Sequence, residues 1–246
     1  MSGSTPRYLF VKHSKHWNVD RCTRWMGGRH FDVDWCYPVS GEIFPDPSRY
    51  LGVVVFGGAN SANDCSDHDW VRRELVFAEQ CLAQQVPYLG ICLGAQMLAR
   101  VLGAAVQAHE HELKEVGFLQ VDPVPDQAVF LNEPLTVMQW HSEGFDLPPD
   151  THRLATGERF PNQAYQLNES VLGLQFHPEV NAEVLAIWLE RNRQRVPEQL
   201  THEQRCKMIK DAHYYDDSVS QWLDGLLSRW TDECRQRASL SVSINF

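Results

Sequence analysis

The chemistry of this chain concentrates on a cysteine at a tight turn. Tyr88-Leu89-Gly90-Ile91-Cys92-Leu93-Gly94-Ala95-Gln96 reads as an apolar strand running into a helix, with a glycine two residues to either side of Cys92. A nucleophile on a strand-to-helix turn is held in strained backbone geometry, and its neighbours must be small for strand and helix to approach. In return its side chain projects above the sheet at a helix N-terminus, where the helix dipole favours the reactive thiolate. The backbone N–H of Leu93 can face an oxyanion. Taken alone, Gly-x-Cys-x-Gly also suits a small buried cysteine between two packing glycines.

Two further segments fit such a nucleophile. Gly173-Leu174-Gln175-Phe176-His177-Pro178-Glu179 delivers a histidine at the end of an apolar run, with a carboxylate two residues on. A thiol needs a base that ionises it and later protonates the leaving group, and imidazole titrates in the useful range. A carboxylate behind the ring fixes its tautomer and stabilises the imidazolium. Val53-Val54-Val55-Phe56-Gly57-Gly58-Ala59 is an apolar run ending in two glycines. The free N–H of Gly58 there is a candidate second oxyanion donor.

The elements that must position these groups alternate. Strand-like runs at 8–11, 31–37, 51–56 and 87–91 are interleaved with a Trp/Arg-containing stretch from about Asp20 and with helical patterns over 70–84 and 93–102. The 70–84 helix is expected to bury positions 71, 75, 78 and 82. Such alternation predicts an α/β fold with a parallel sheet. Strand-like runs at 117–121, 135–140, 163–167 and 171–176, separated by Pro, Gly, Asn and Asp, predict hairpins that make the sheet mixed. Helices are expected over 182–193, 201–213 and 217–236. The chain thus divides into a main domain, 1–193, and a helical extension, 194–246, packed on it; the amphipathic spacing of those last helices also suggests a homodimer contact.

Composition removes other classes. Of 246 residues, 43% are hydrophobic and 22% charged, which suits a folded globular chain rather than disorder. A net charge of −10 with scattered basic residues, densest at Arg191, Arg193 and Arg195, argues against nucleic-acid or anionic-membrane binding. The apolar runs are too short to span a bilayer. Seven cysteines without a CxxC pair, and no basic-then-apolar opening segment, point to a reducing compartment and hence the cytoplasm. His109 and His111, with Glu110 and Glu112, do not share a helix face and lack a third ligand motif, so they read as a solvated loop rather than a metal site. His13, His16 and His30 are read the same way.

Together, Gly57-Gly58, the GICLGAQ segment around Cys92 and the QFHPE segment around His177 resemble, in order and spacing, the class I (triad) glutamine amidotransferases, over about residues 7–190. Free-standing, GMP-synthase-like members are the nearest in character. Gln139-Trp140-His141-Ser142-Glu143-Gly144-Phe145 and Pro161-Asn162-Gln163-Ala164-Tyr165 also resemble family segments, whereas Ala59 stands where many members carry proline. The resemblance implies a three-layer, flavodoxin-like α/β sandwich with a central, mostly parallel sheet. It implies Cys92 as nucleophile, His177 as acid and base, Glu179 as its orienting carboxylate, and the N–H groups of Gly58 and Leu93 as oxyanion donors. Gln96, His141, Ser142 and Glu143 would line the substrate pocket, the last three more by backbone than by side chain. The implied reaction releases ammonia and glutamate from glutamine through a γ-glutamyl thioester, with no metal or organic cofactor. The chain has neither a Ser-Gly-Gly-x-Asp-Ser loop nor a Gly-x-x-x-x-Gly-Lys loop, so a synthetase accepting the ammonia would be a separate subunit. The alternatives are a γ-glutamyl peptide hydrolase acting alone and a non-catalytic regulatory protein.

Overall fold

The computed structural model describes residues 7–125, 127, 129–191 and 200–244. The strands are β1 (Arg7–Val11), β2 (Asp32–Cys36), β3 (Gly52–Val55), β4 (Tyr88–Ile91), β5 (Val106–Ala108), β6 (Glu115–Pro123), β7 (Leu135–His141), β8 (Glu143–Phe145), β9 (His152–Thr156), β10 (Ala164–Asn168) and β11 (Val171–Leu174). The helices are α1 (Arg21–Gly28), α2 (Asp69–Ala83), α3 (Leu93–Val101), α4 (Ala182–Arg191), α5 (His202–Tyr214) and α6 (Asp216–Ile244).

Nine strands form the central sheet in the order β2-β1-β3-β4-β11-β10-β9-β6-β7. Contacts from β2 through β11 are parallel, and those from β11 to β7 are antiparallel. The mixed, mostly parallel sheet expected from the sequence is therefore present. The inner parallel strands β1, β3, β4 and β11 are covered on both faces, as their apolar runs require. Alternate residues of β1 divide between the two sides: Tyr8 and Phe10 join a cluster with residues of α1 and α4 to α6, while Leu9 and Val11 join one with residues of α2 and α3. That is the three-layer arrangement.

The differences have physical reasons. Strands β5 and β8 pair into a small separate sheet, and β9 joins the main one; none was predicted. Each is short, and β9 (HRLAT) buries only Leu154 and Ala155, too few for a period to show. Helix α2 buries Trp70, Val71, Glu74, Phe77, Ala78 and Cys81, so its inward stripe is rotated from the expected one and contains a carboxylate. Helix α6 runs farther than 236. It buries Val219, Leu223, Leu226, Leu227, Trp230 and Cys234, spaced three and four apart, against the chain's own sheet. Trp230 packs on Tyr8 at 5.8 Å and its indole N–H donates to the Ser170 carbonyl at 3.0 Å. The face whose spacing suggested a dimer contact is thus occupied within the chain. The expected domain boundary at 193/194, like Arg193 and Arg195, lies outside the described residues.

Candidate active site

Three neighbouring parallel strands bring the sequence-predicted residues to one edge of the sheet. β3 ends just before Gly57-Gly58, β4 just before Cys92, and β11 three residues before His177. The pairings Val55 with Gly90 and Leu174 with Ile91 hold these three carboxyl ends level. Open α/β sheets offer their ligand sites at this end.

Cys92 has φ +49° and ψ −106°, a conformation that residues with a Cβ rarely adopt. It is the N-cap of α3. Its N–H donates to the Leu174 carbonyl at 2.7 Å, and its carbonyl accepts from Gln96 N–H at 2.9 Å. Both flanking glycines are required by close approach. A Cβ on Gly94 would stand 2.2 Å from the Val55 carbonyl oxygen, and one on Gly90 2.7 Å from the backbone of Gly94 and Ala95. The helix N-terminus therefore sits directly over β3 and β4, with Cys92 at the positive end of the α3 dipole.

His177 is fixed from several directions. Its backbone N–H donates to the Met138 carbonyl at 2.8 Å, and the Trp188 ring packs edge-on at 5.1 Å. Nδ1 meets Glu179 Oε1 at 2.8 Å, both side chains being buried. Burial works against the charged ring. The Glu179 carboxylate and the Cys92 side chain, through electrostatic attraction and hydrogen bonds, outweigh that and raise its pKa to about 10. The second Glu179 oxygen, Oε2, is buried without a partner among the described residues. A Cβ on Gly57 would lie 2.6 Å from His177 Cε1 and 3.4 Å from Cys92 Cβ, so the two-glycine loop closes directly on Cys92 and His177. A Cβ on Gly58 would strike the Leu93 side chain at 2.7 Å, which brings those two residues side by side.

The other predicted residues fall nearby with different tasks. The Gln96 amide nitrogen donates to the Glu143 carbonyl at 2.9 Å and to Gln175 Oε1 at 3.3 Å. Both ring nitrogens of His141 face acceptors: Nδ1 the Glu143 carbonyl, Nε2 the Glu115 carboxylate and Gln139 Oε1. Ser142 is exposed between β7 and β8, and Glu143 is half-buried at the start of β8. The His141 ring therefore holds the Ser142–Glu143 turn in place. His109 and His111 lie in a turn, with His111 exposed beside Glu110. No group of three potential metal ligands occurs among the described residues.

Two neighbours were not singled out from sequence. Gln175 is fully buried and its amide nitrogen approaches Cys92 Sγ at 3.7 Å. His13, expected in a solvated loop, has its side chain buried beside Gly57. It follows β1 in the same relation to the sheet as the other three groups, and that position was the available signal.

Arg21, at the start of α1, braces the His177–Glu179 turn. Its backbone N–H donates to the Glu179 carbonyl at 2.9 Å, and its guanidinium donates to the carbonyls of Pro178 and Val180 and, on α6, to Asp216 and Ser220. Arg21→Ala leaves buried carbonyls without donors, which should cost about 2–3 kcal/mol. Urea unfolding checks this, and an unchanged midpoint would count against the brace.

Comparison with known proteins agrees with this geometry. The family model described as glutamine amidotransferase class-I matches residues 13–190. The glutamine amidotransferase-like protein YfeJ of Salmonella typhimurium is 30% identical over 200 residues, 76% of this chain and 82% of that protein. Gamma-glutamyl peptidase 5 of Arabidopsis thaliana is 27% identical over 201 residues, 76% of this chain and 78% of its own. The crystal structure of a glutamine amidotransferase from Thermotoga maritima superposes with a TM-score of 0.85 at 29% identity, covering 93% of this chain and 99% of the other. The chain belongs to the class I glutamine amidotransferase family.

Proposed function

We propose that this chain hydrolyses the side-chain amide of glutamine, or of another γ-glutamyl compound, using Cys92, His177 and Glu179. The observation that carries the reading is the juxtaposition of an elbow cysteine with a buried His177–Glu179 pair just past the end of the adjacent parallel strand. Cys92 Sγ attacks the amide carbon, and the N–H groups of Gly58 and Leu93 receive the oxyanion. The C–N bond then breaks as His177 passes its proton to the departing ammonia. Water, deprotonated by His177, opens the γ-glutamyl thioester to glutamate and restores the thiolate–imidazolium pair. In this reading Gln96 and the backbone of His141, Ser142 and Glu143 border the substrate. Residues 1–193 form the amidotransferase unit, with 194–246 as a helical layer on it, and the protein works in the cytoplasm.

The γ-glutamyl peptidase relative, matched over most of both chains, favours a second reading in which a γ-glutamyl peptide is the substrate and no acceptor subunit exists. The first reading pairs the chain with a separate synthetase that takes the ammonia. Ammonia release from glutamine and glutamate release from γ-glutamyl dipeptides by the purified chain decide between them. Turnover of glutamine supports the first and turnover of peptides alone the second. Turnover of neither, with Cys92 inert to a glutamine-like electrophile, would defeat both.

The His177 ring gives a pH signature. Its pKa is raised from 6.5 to about 10, so its charge contributes stability fully below 6.5, and that contribution is lost as pH rises through about 10. Activity should likewise fall on the alkaline side as the ring loses the proton needed by the leaving group. Glu179→Gln removes the neighbouring anion and should lower kcat by roughly a hundredfold or more. It should also move the alkaline limb of kcat/KM to lower pH. An unmoved limb would contradict the orienting role of Glu179.

A further inference from the structure

We propose that His13 and Glu74 form a buried positioning pair that grips the Gly57 carbonyl and so aims the Gly58 N–H at the oxyanion formed on Cys92. This rests on the reading of Cys92 as an acyl-transfer nucleophile and extends it to two residues 61 positions apart. His13 Nδ1 lies 3.0 Å from the Gly57 oxygen, and Nε2 lies 2.9 and 3.1 Å from the two Glu74 oxygens. A carbonyl only accepts, so Nδ1 must donate to it. With the ring protonated, Nε2–H donates to the Glu74 carboxylate, so both ring nitrogens are occupied and the ring cannot turn. Both side chains are almost fully buried, and Trp70 packs on the ring at 5.1 Å. Despite burial, Glu74 and the Gly57 carbonyl raise the ring's pKa.

The consequence follows from peptide geometry. The Gly57 carbonyl and the Gly58 N–H belong to one planar trans unit and point in opposite directions. Holding the oxygen on the His13 side therefore turns the N–H to the other side. A two-glycine loop has little side-chain restraint of its own, and Ala59 brings no ring to stiffen it. The buried carboxylate of α2, otherwise an odd member of an apolar stripe, thereby acquires a task. An oxyanion donor works only when it is fixed before the charge develops.

Three variants and three readouts test this. His13→Leu removes the donor, His13→Asn returns one near the Nδ1 position, and Glu74→Gln keeps shape without charge. Amide exchange of the segment around Gly57-Gly58, followed by mass spectrometry, needs no substrate. It should quicken in His13→Leu, and in Glu74→Gln to a lesser degree, and return towards the parent rate in His13→Asn. With glutamine or a γ-glutamyl peptide, His13→Leu should lower kcat roughly ten- to a hundredfold with KM within about twofold of the parent. Iodoacetamide alkylation of Cys92 forms no oxyanion, so its rate should stay near that of the parent. Unchanged exchange in both His13→Leu and Glu74→Gln would overturn the proposal, as would a loss of kcat matched by an equal loss of alkylation. If the parent protein turns over neither substrate and Cys92 is inert to a glutamine-like electrophile, the functional reading fails on its own, and the exchange experiment still decides whether His13 and Glu74 hold the loop. Should His13→Leu not fold, Glu74→Gln carries the same comparison.

Discussion

Replacing Cys92 with alanine is expected to abolish hydrolysis while leaving the fold intact. The Cys92 sulfur is the only protein atom in the proposed reaction that bonds to substrate carbon, and loss of a nucleophile that works as a unit with its base typically costs roughly four orders of magnitude or more. The loss would be chemical rather than structural. Alanine keeps both backbone hydrogen bonds of Cys92, to the Leu174 carbonyl and from the Gln96 N–H, and loses only the sulfur's contacts with Gln175 and His177. Alanine also tolerates the positive φ no worse than cysteine does, so stability should change by no more than about 1 kcal/mol. Assays of both γ-glutamyl substrates beside a thermal melt check the two halves of this statement. Retained turnover with an unshifted melt would remove Cys92 from the mechanism.

The second large effect is expected from Gly94→Ala, one methyl group at a residue that touches no reacting atom. That methyl would stand 2.2 Å from the Val55 oxygen and 2.8 Å from its carbonyl carbon. Both belong to the backbone of β3 at the middle of the parallel sheet, so neither can swing aside. Helix α3 must lift from the sheet, and overpacking of this kind should cost about 3 kcal/mol or more. The same displacement carries the Leu93 N–H and the Cys92 turn out of line, and a misplacement of about 1 Å lowers rate roughly a hundredfold. Gly27→Ala, where an added Cβ meets nothing within 4 Å, is the matching control and should leave both properties unchanged. Urea unfolding of the two variants separates the outcomes. A Gly94→Ala protein with parental stability would show that the helix does not lie on β3 as described.

These two residues were legible in the sequence because they belong to a local pattern. Gly90, Cys92 and Gly94 sit within five positions, and the strand before them is buried on both faces, so its apolar run is unbroken. The same holds for β1, β3 and β11, whose buried runs predicted the parallel half of the sheet and the strand ends that carry Gly57-Gly58 and His177. The peripheral strands β5, β8 and β9 were not legible, because three to five residues with one or two buried side chains show no period. His13 and Glu74 were missed for another reason. Their meeting is made by the sheet order, which sets β1 beside β3, and nothing local to either residue announces it. Glu74 did leave a trace, as a carboxylate in the helix stripe that the sheet buries, but the stripe was read one position out of phase. The sequence places Gln96 near substrate and His141 at the same pocket more by its backbone than by its ring. Their hydrogen bonds to the Glu143 carbonyl show a shared part in shaping the turn that follows β7.

The central claim is that catalysis passes through an acyl group on one particular sulfur. The most direct measurement is acid quenching of the enzyme during turnover of glutamine and of a γ-glutamyl dipeptide, followed by mass spectrometry of the intact chain and its peptides. A single γ-glutamyl group in thioester linkage is expected, confined to the peptide bearing Cys92, more abundant in Glu179→Gln if that variant slows hydrolysis of the thioester, and absent from Cys92→Ala. Product formation without any acyl adduct on Cys92 in either the parent or Glu179→Gln, or an adduct on another residue that persists in Cys92→Ala, would contradict it.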